Sequence, residues 1–216
     1  MPGPNGVLGN HDKPRIATRA GAPQARVAAM LLLTLRGTPT MYYGDEIGMH
    51  DVPIAPDQVQ DPFEKNVPGL GLGRDPVRTP MQWGSGQWAE FSTVRPWLPI
   101  ADDYRNANVE LERVDASSLL TLYRGLIALR RSEPALSVGD YAALPAGEDL
   151  VAYMRKAGGR RLLIVLNFGA RPRRFNLNEL EAQAVLLLST YLDRERKKLA
   201  AELQLRPDEG VIVELS

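Results

Sequence analysis

Cysteine is absent from the 216 residues, which excludes disulfides, thiolate metal sites and a cysteine nucleophile, and fits a reducing compartment. Histidine is nearly absent, with two residues; His50-Asp51 has no companions at ligand spacing, so no metal site is expected there. Neither sign of charge prevails, since 26 Lys and Arg stand against 26 Asp and Glu. Residues 1–135 hold 14 basic and 15 acidic side chains, and residues 136–216 hold 12 and 11. Neither part carries the basic excess that a phosphate backbone requires, so nucleic acid is not an expected partner. The longest uncharged apolar run, residues 27–35, is far short of the roughly 20 residues that span a bilayer, so no membrane partner is expected either. Met1-Pro2-Gly3-Pro4 is not followed by a basic-then-apolar stretch, and no signal peptide is expected. The expectation is a soluble, cytoplasmic protein.

What is present is an ordinary globular composition, 44% hydrophobic and 24% charged, in a length that makes one or two domains at roughly 150 residues each. Proline and glycine density separates a helical-and-loop front, residues 1–135, from a strand-rich back, residues 136–216. Residues 22–36 are strong helix formers with Pro23 in the first turn and Gly37 after the end. They are apolar almost all round and predict burial on more than one side. Residues 38–43 (TPTMYY) predict a strand closed by Gly44. Residues 44–116 have no sustained period, and a loop of that length is more often functional than idle. Residues 117–131 form the clearest amphipathic helix, capped at Asp115 or Ser117, with Arg130 and Arg131 at its negative end and Pro134 as its stop. Beyond Gly139, short apolar or alternating runs at 141–144, 150–155, 161–168, 173–177, 184–189 and 211–215 predict an antiparallel sheet module, with a hairpin turn at Ala157-Gly158-Gly159. Residues 197–203 are expected to form a short helix. The fold class is therefore α/β followed by all-β.

Chemistry concentrates in the front. Residues 7–15 (VLGNHDKPR) are an apolar run ending in an amide, an imidazole and a carboxylate. If Val7 and Leu8 end a parallel strand, the following residues project from the edge where α/β barrels place their active sites; a simple Asn/Asp turn accounts for the same letters. Residues 37–49 (GTPTMYYGDEIGM) and 73–83 (GRDPVRTPMQW) follow in order. Together with Asn10-His11-Asp12, these segments resemble the closing part of the catalytic barrel of glycoside hydrolase family 13, the α-amylase family, in its α-glucosidase and oligo-1,6-glucosidase branch. Residues 96–99 (PWLP), 108–110 (NVE) and 122–131 resemble the run into the last barrel helix of that branch. The resemblance covers nearly the whole chain.

It implies the last two strand-helix units of a (β/α)8 TIM barrel, followed by a small antiparallel β-sandwich domain. It further implies that His11 and Asp12 hydrogen-bond the hydroxyls of the glucosyl ring being cleaved, with Asp12 as transition-state stabiliser, and that Arg78 reaches the same ring. A carboxylate gripping adjacent hydroxyls strengthens its bonds as the ring flattens toward an oxocarbenium ion, which lowers the barrier rather than only the ground state. The guanidinium fork of Arg78 suits a carboxylate and sugar oxygens alike, and an ordinary loop salt bridge is the alternative. Asn10 and Arg15 are further candidates for substrate binding. The implied substrate is a glucosyl oligosaccharide or disaccharide, with no organic cofactor and no metal.

Other side chains draw plainer readings. Asp45 and Glu46 are adjacent on an extended chain and point apart, so they cannot flank one bond as a catalytic pair; they are read as structural or loop-lining. Trp83, Trp88 and Trp97 could face sugar rings, but buried loop anchors are the more frequent use. Gly69 to Gly73 (GLGLG) lacks the strand and helix of a nucleotide loop. Arg171, Arg173, Arg174 and residues 194–198 read as solvated faces. Gly6 stands where the branch usually has a large aromatic, and glycine weakens a strand.

The family's retaining mechanism needs an aspartate nucleophile and a glutamic acid from earlier strands, and no matching segment is present. The chain alone is therefore expected to be inactive, and to self-associate or pair with a missing N-terminal half, for example by burying residues 27–35 against another chain. The alternatives are a non-catalytic carbohydrate-binding or interaction module, and part of a transglucosylase such as a trehalose or isomaltulose synthase.

Overall fold

The computed structural model describes residues 3–180, 183–194 and 196–216. In chain order its strands and α-helices are β1 (Asn5–Val7), α1 (Ile16–Thr34), β2 (Thr38–Thr40), α2 (Pro62–Asn66), α3 (Val109–Val114), α4 (Leu119–Ser132), α5 (Pro134–Ser137), β3 (Asp140–Leu144), β4 (Leu150–Ala157), β5 (Arg160–Asn167), β6 (Arg173–Asn176), β7 (Ala184–Ser189), β8 (Lys197–Leu199), β9 (Glu202–Leu205) and β10 (Gly210–Leu215). Packing groups them into two compact units: Met1–Gly6, Pro23–Thr40 and Leu122–Ser216 form one, and Val7–Ala22 with Met41–Thr121 the other.

In the first unit, antiparallel strands in the order β3-β4-β5-β10-β7-β8 make a six-stranded sheet, and β6 pairs with β9 in a second sheet. Met154, Leu163, Val165, Leu186, Val211 and Val213 of the large sheet share a buried cluster with Phe175, Leu203 and Leu205 of the small one, a two-layer arrangement as expected for a sandwich. The central strand β5 is buried on both faces, from Leu162 to Leu166, which is why its sequence is a continuous apolar run rather than an alternating one. Its neighbours β4 and β10 touch α1: Thr34 Oγ1 meets the Tyr153 hydroxyl at 2.6 Å, and a Cβ on Gly210 would stand 2.9 Å from Met30 Sδ.

Helix α1 starts earlier than predicted, at Ile16, but it is broken at Gly21 (φ 80, ψ 162), two residues before Pro23. Pro23 has no N–H for the ladder and disfavours helical backbone in front of it, so the predicted start at residue 22 marks the second, straight segment. Val27, Ala28, Ala29, Met30, Leu32 and Leu33 are all buried within the chain itself. That corrects the expectation that residues 27–35 offer a face to another chain. The last carbonyls of α1 are claimed by two guanidinium groups. Arg130 donates to Leu33 O, Leu35 O, Leu136 O and Gly37 O, and fully buried Arg155 donates to Thr34 O, Gly139 O and Asp140 O. Burial lowers the pKa of both. Helix α4 is capped by Ser118, whose Oγ accepts from Thr121 N at 3.0 Å, one residue beyond the expected cap.

Two expectations for the back of the chain are corrected. Residues 197–203 are not helical; they supply β8 and the start of β9. Burial alternates through Glu202–Leu205, and pairing of β8 with β7 and of β9 with β6 overrides the helix-forming lysines, alanines and leucines. Arg194 is not a solvated arginine, because its Nε and Nη2 reach Glu209 at 3.0 and 2.8 Å. Glu195, in the same expected face, lies outside the described residues.

The second unit is built from short pieces. Besides α2 and α3 it contains single 3₁₀ turns at Asp45–Ile47, Pro56–Gln58, Asp75–Val77 and Gln87–Glu90 around a small core of Ile47, Met49, Met81, Val109 and Leu120. The predicted strand at 38–43 is shorter, ending at Thr40, and Tyr42 and Tyr43 beyond it pack on Arg15. Among the described residues, no helix is long and apolar enough to cross a membrane.

Candidate active site

The turn at residues 10–13 sets the first half of the site. Asn10 Oδ1 accepts from Asp12 N at 2.9 Å, and Lys13 N donates to Asn10 O at 3.4 Å. Asn10 is thus consumed in closing the turn, which leaves the carboxylate of Asp12 free to project. Arg78 comes from the end of the Asp75–Val77 turn. Its Nη2 donates to Asp12 Oδ1 at 3.0 Å and its Nε to His11 O at 2.9 Å, so one guanidinium fixes both the side chain and the backbone of the turn. His11 Nε2 lies 3.3 Å from Asp12 Oδ2. About half of the Asp12 side chain (46%) remains exposed, so its oxygens keep lone pairs open to a ligand.

A second cation stands beside them that sequence reading did not single out. Arg74 Nη1 is 3.5 Å from Asp12 Oδ1, and the rest of its fork is clamped by Asp61 through Nε–Oδ2 at 2.7 Å and Nη2–Oδ1 at 2.9 Å. The Asp61 side chain is fully buried, and the Arg74 hydrogen bonds hold its pKa below the usual carboxylate range despite that burial. Asp61 also accepts from Arg74 N and Phe63 N, and Asp75 Oδ2 accepts from Gln60 N and Asp61 N. Arg74 and Arg78 flank the one-turn 3₁₀ segment Asp75–Val77, and both reach Asp12.

Arg15, a candidate for substrate binding, is instead fully buried, which corrects that expectation. Its guanidinium donates to Tyr43 O at 2.6 Å and Val77 O at 2.9 Å and lies 4.9 and 4.8 Å from the ring centres of Tyr42 and Tyr43. The two hydroxyls in turn donate to Val77 O and Thr79 O, so Arg15 ties the segment at 42–43 to the one carrying Arg78. Gly44 makes this approach feasible: it holds φ 84, and a Cβ there would stand 2.5 Å from Met49 Sδ and 2.9 Å from Arg15 Nη1. Burial raises the pKa of the Tyr42 hydroxyl.

Asp45 is 2% exposed, and neither carboxylate oxygen has a hydrogen-bond partner. Burial pushes its pKa up to about 6. Its neighbour Glu46 lines an open groove of about 710 Å³ together with Tyr43, Arg78, Trp83, Phe91 and Trp97. Trp83 and Trp97 are 48% and 80% exposed, contrary to the expectation of buried anchors. His50 Nδ1 pairs with Asp103 Oδ2 at 3.6 Å, and Asp51 Oδ1 accepts from Arg15 N. Among the described residues, no three His, Cys, Asp or Glu side chains are grouped to hold a metal.

A half-exposed carboxylate, that of Asp12, thus stands between two guanidinium groups and an imidazole. The segment that carries it matches the family model described as α-amylase, catalytic domain, over residues 4–139, and the chain belongs to the α-amylase family. Similar proteins include a salivary α-glucosidase of Anopheles gambiae, 41% identical over 78% of this chain and 29% of its own length. A glucan 1,6-α-glucosidase of Streptococcus pneumoniae is 34% identical over 95% of this chain and 42% of its own. Among solved structures, the trehalulose synthase MutB from Pseudomonas mesoacidophila aligns with a TM-score of 0.85 at 32% identity, covering 98% of this chain and 43% of that one. A MutB mutant in complex with the substrate sucrose aligns with a TM-score of 0.86 at 33% identity and the same coverage. These structural neighbours are TIM-barrel enzymes. The chain spans between about three tenths and about four tenths of the length of these relatives.

Proposed function

We propose that the chain is the C-terminal part of a retaining α-glucosidase acting on glucosyl oligosaccharides or disaccharides. Residues 1–135 are the last two strand-helix units of the barrel and residues 136–216 the antiparallel domain after it. Asp12 stabilises the positive charge that develops on the glucosyl ring, and His11 and Arg78 hold ring hydroxyls. The observation that carries this reading is the convergence of Arg78 on both Asp12 and the His11 carbonyl across 66 residues of sequence. Exposed ion pairs contribute at most about 1 kcal/mol to folding. Gathering three such groups where solvent reaches them is a poor stability device and a good hydroxyl-binding one.

The nucleophile and general acid of the reaction belong, in this reading, to strands outside these 216 residues. The chain by itself lacks both the covalent intermediate and leaving-group protonation. Purified chain is therefore expected to release no nitrophenol from 4-nitrophenyl α-glucoside above the buffer rate; release that disappears in Asp12→Ala would overturn the assignment. A transglucosylase is the second reading, favoured by the trehalulose synthase structures that align over nearly the whole chain. It uses the same ring contacts and differs in whether water or a sugar hydroxyl accepts the glucosyl group.

A further inference from the structure

We propose that Asp45 is a proton switch set beneath the turn that carries His11 and Asp12: neutral, it supports the turn, and ionised, it draws Arg19 off the turn and loosens it. All of these parts belong to the second unit. The carboxyl group of Asp45 lies against buried Gly9, the residue just before the turn, where a Cβ would stand 3.5 and 3.6 Å from its two oxygens. Neither oxygen has a hydrogen-bond partner. A carboxyl group so placed keeps its proton well above the usual range, because the charged form has lost its water and gained nothing in exchange. Burial is the largest influence on Asp45 and raises its pKa to about 6. Glu46, next along its own 3₁₀ turn, also opposes ionisation, while Arg15, Arg19 and the Tyr42 backbone, which falls short of hydrogen-bond geometry, favour it. The Tyr42 and Tyr43 hydroxyls are engaged by Val77 O and Thr79 O, and His11 and Asp12 face each other and Arg78.

The two arginines are not equally free to answer a new charge. Arg15 is fully buried, bound to Tyr43 O and Val77 O and flanked by two rings. Arg19 is exposed and straps the turn from outside: its Nε donates to Pro14 O at 3.0 Å and its Nη2 to Leu8 O, on either side of residues 9–13. A full carboxylate attracts a guanidinium more strongly than a neutral carbonyl does. Once the Asp45 proton has passed to water, Arg19 therefore exchanges the two carbonyls for the carboxylate. The turn loses its strap, and the His11 carbonyl that receives Arg78 Nε loses its fixed position. The site is thus assembled on the acid side of about pH 6 and loosened above it. The reading of Asp12 given above supplies only what the turn is used for; the switch is a property of the turn itself.

NMR of the isotope-labelled chain from about pH 4.5 to about pH 7.5 tests this. The Asp45 carboxyl carbon and the amides of Gly9, Asn10, Asp12 and Lys13 should shift together, with one midpoint near 6. An imidazole also takes up protons in this range, so the shared midpoint must survive in His11→Gln and vanish from the amides in Asp45→Asn. Asn matches Asp in shape, and an otherwise unchanged spectrum will show that this variant folds. Arg19→Gln isolates the strap: the carboxyl carbon should still titrate while the amides of residues 10–13 no longer follow it. Gly9→Ala, which lays a methyl group on the carboxyl oxygens at ordinary contact distance, should move the midpoint upward by about half a pH unit. A carboxyl carbon without a transition in this range overturns the switch. So does an amide transition that disappears in His11→Gln or persists in Asp45→Asn, and so do amides that still follow the carboxyl carbon in Arg19→Gln. Sugar binding unaffected by Asp12→Asn would remove the reading of Asp12 and leave the switch standing, and failure of these titrations would do the reverse.

Discussion

The two units differ in how completely they satisfy their buried polar atoms. In the sheet unit, Arg155 and Arg130 are spent on backbone carbonyls, and the fully buried Glu209 accepts from Ser189, Arg194 and Arg206. In the loop unit, both oxygens of Asp45, Arg15 Nε, Thr79 Oγ1 and Gln82 Oε1 are buried with no partner; in the sheet unit, among the described residues, the same holds only of Arg173 Nε. The loop unit also carries the three consecutive left-handed residues at 88–90. A region selected for folding alone satisfies its polar groups, and one that departs from this rule in several places is where function is expected.

The largest expected effect lies in the sheet unit. Glu209→Ala removes the buried acceptor shared by Ser189, Arg194 and Arg206, while Arg206 stays paired with Asp193, and should destabilise the chain by about 3 kcal/mol in urea unfolding; a loss below about 1 kcal/mol would erase the contrast between units. Burial opposes ionisation of Glu209, and the hydrogen bonds from Arg206 and Ser189 outweigh it, so its pKa is lowered. The stabilisation it gives is thus complete above the unfolded value near 4.5 and is lost as pH falls through the folded value.

Asp45 should behave with the opposite sign. Its pKa is raised from 3.8 to about 6, so the folded chain keeps a proton that the unfolded chain has released. Stability falls as pH rises from about 4 to about 6 and stays lower beyond. Asp45→Asn should therefore stabilise by about 2–3 kcal/mol at neutral pH and by about zero near pH 3.5. Thermal melts across that range check it, and a pH-independent or destabilising effect would mean that Asp45 is paired after all. The smallest expected effect on stability is at the exposed site: Asp12→Asn and Arg78→Ala should each change unfolding free energy by about 1 kcal/mol or less. A loss of about 3 kcal/mol would make the pair structural.

Much of the sheet unit was legible because period and turn chemistry carry it: the runs at 150–155, 161–168 and 211–215 all became strands. Residues 197–203 misled because three-residue strands depend on their partners, and local propensity there points to helix. In the loop unit, His11, Asp12 and Arg78 were legible only through a resemblance, for no period spans the distance between them. Arg15 stood among the same letters and went inside, where the carbonyls of Tyr43 and Val77 accept its hydrogen bonds and the rings of Tyr42 and Tyr43 lie beside its guanidinium. The Asp61–Arg74 clamp was not legible at all, since nothing in a sequence without periodicity says which carboxylate a loop arginine will meet.

The central claim is that Asp12 is poised for positive charge on a glucose-shaped ring. Ligand-detected NMR with a protonated imino sugar of glucose configuration, beside its uncharged parent sugar, reads this directly. The account expects the cation to bind more tightly than glucose, with the preference removed in Asp12→Asn. Equal binding of both sugars, or a preference that survives Asp12→Asn, would contradict it.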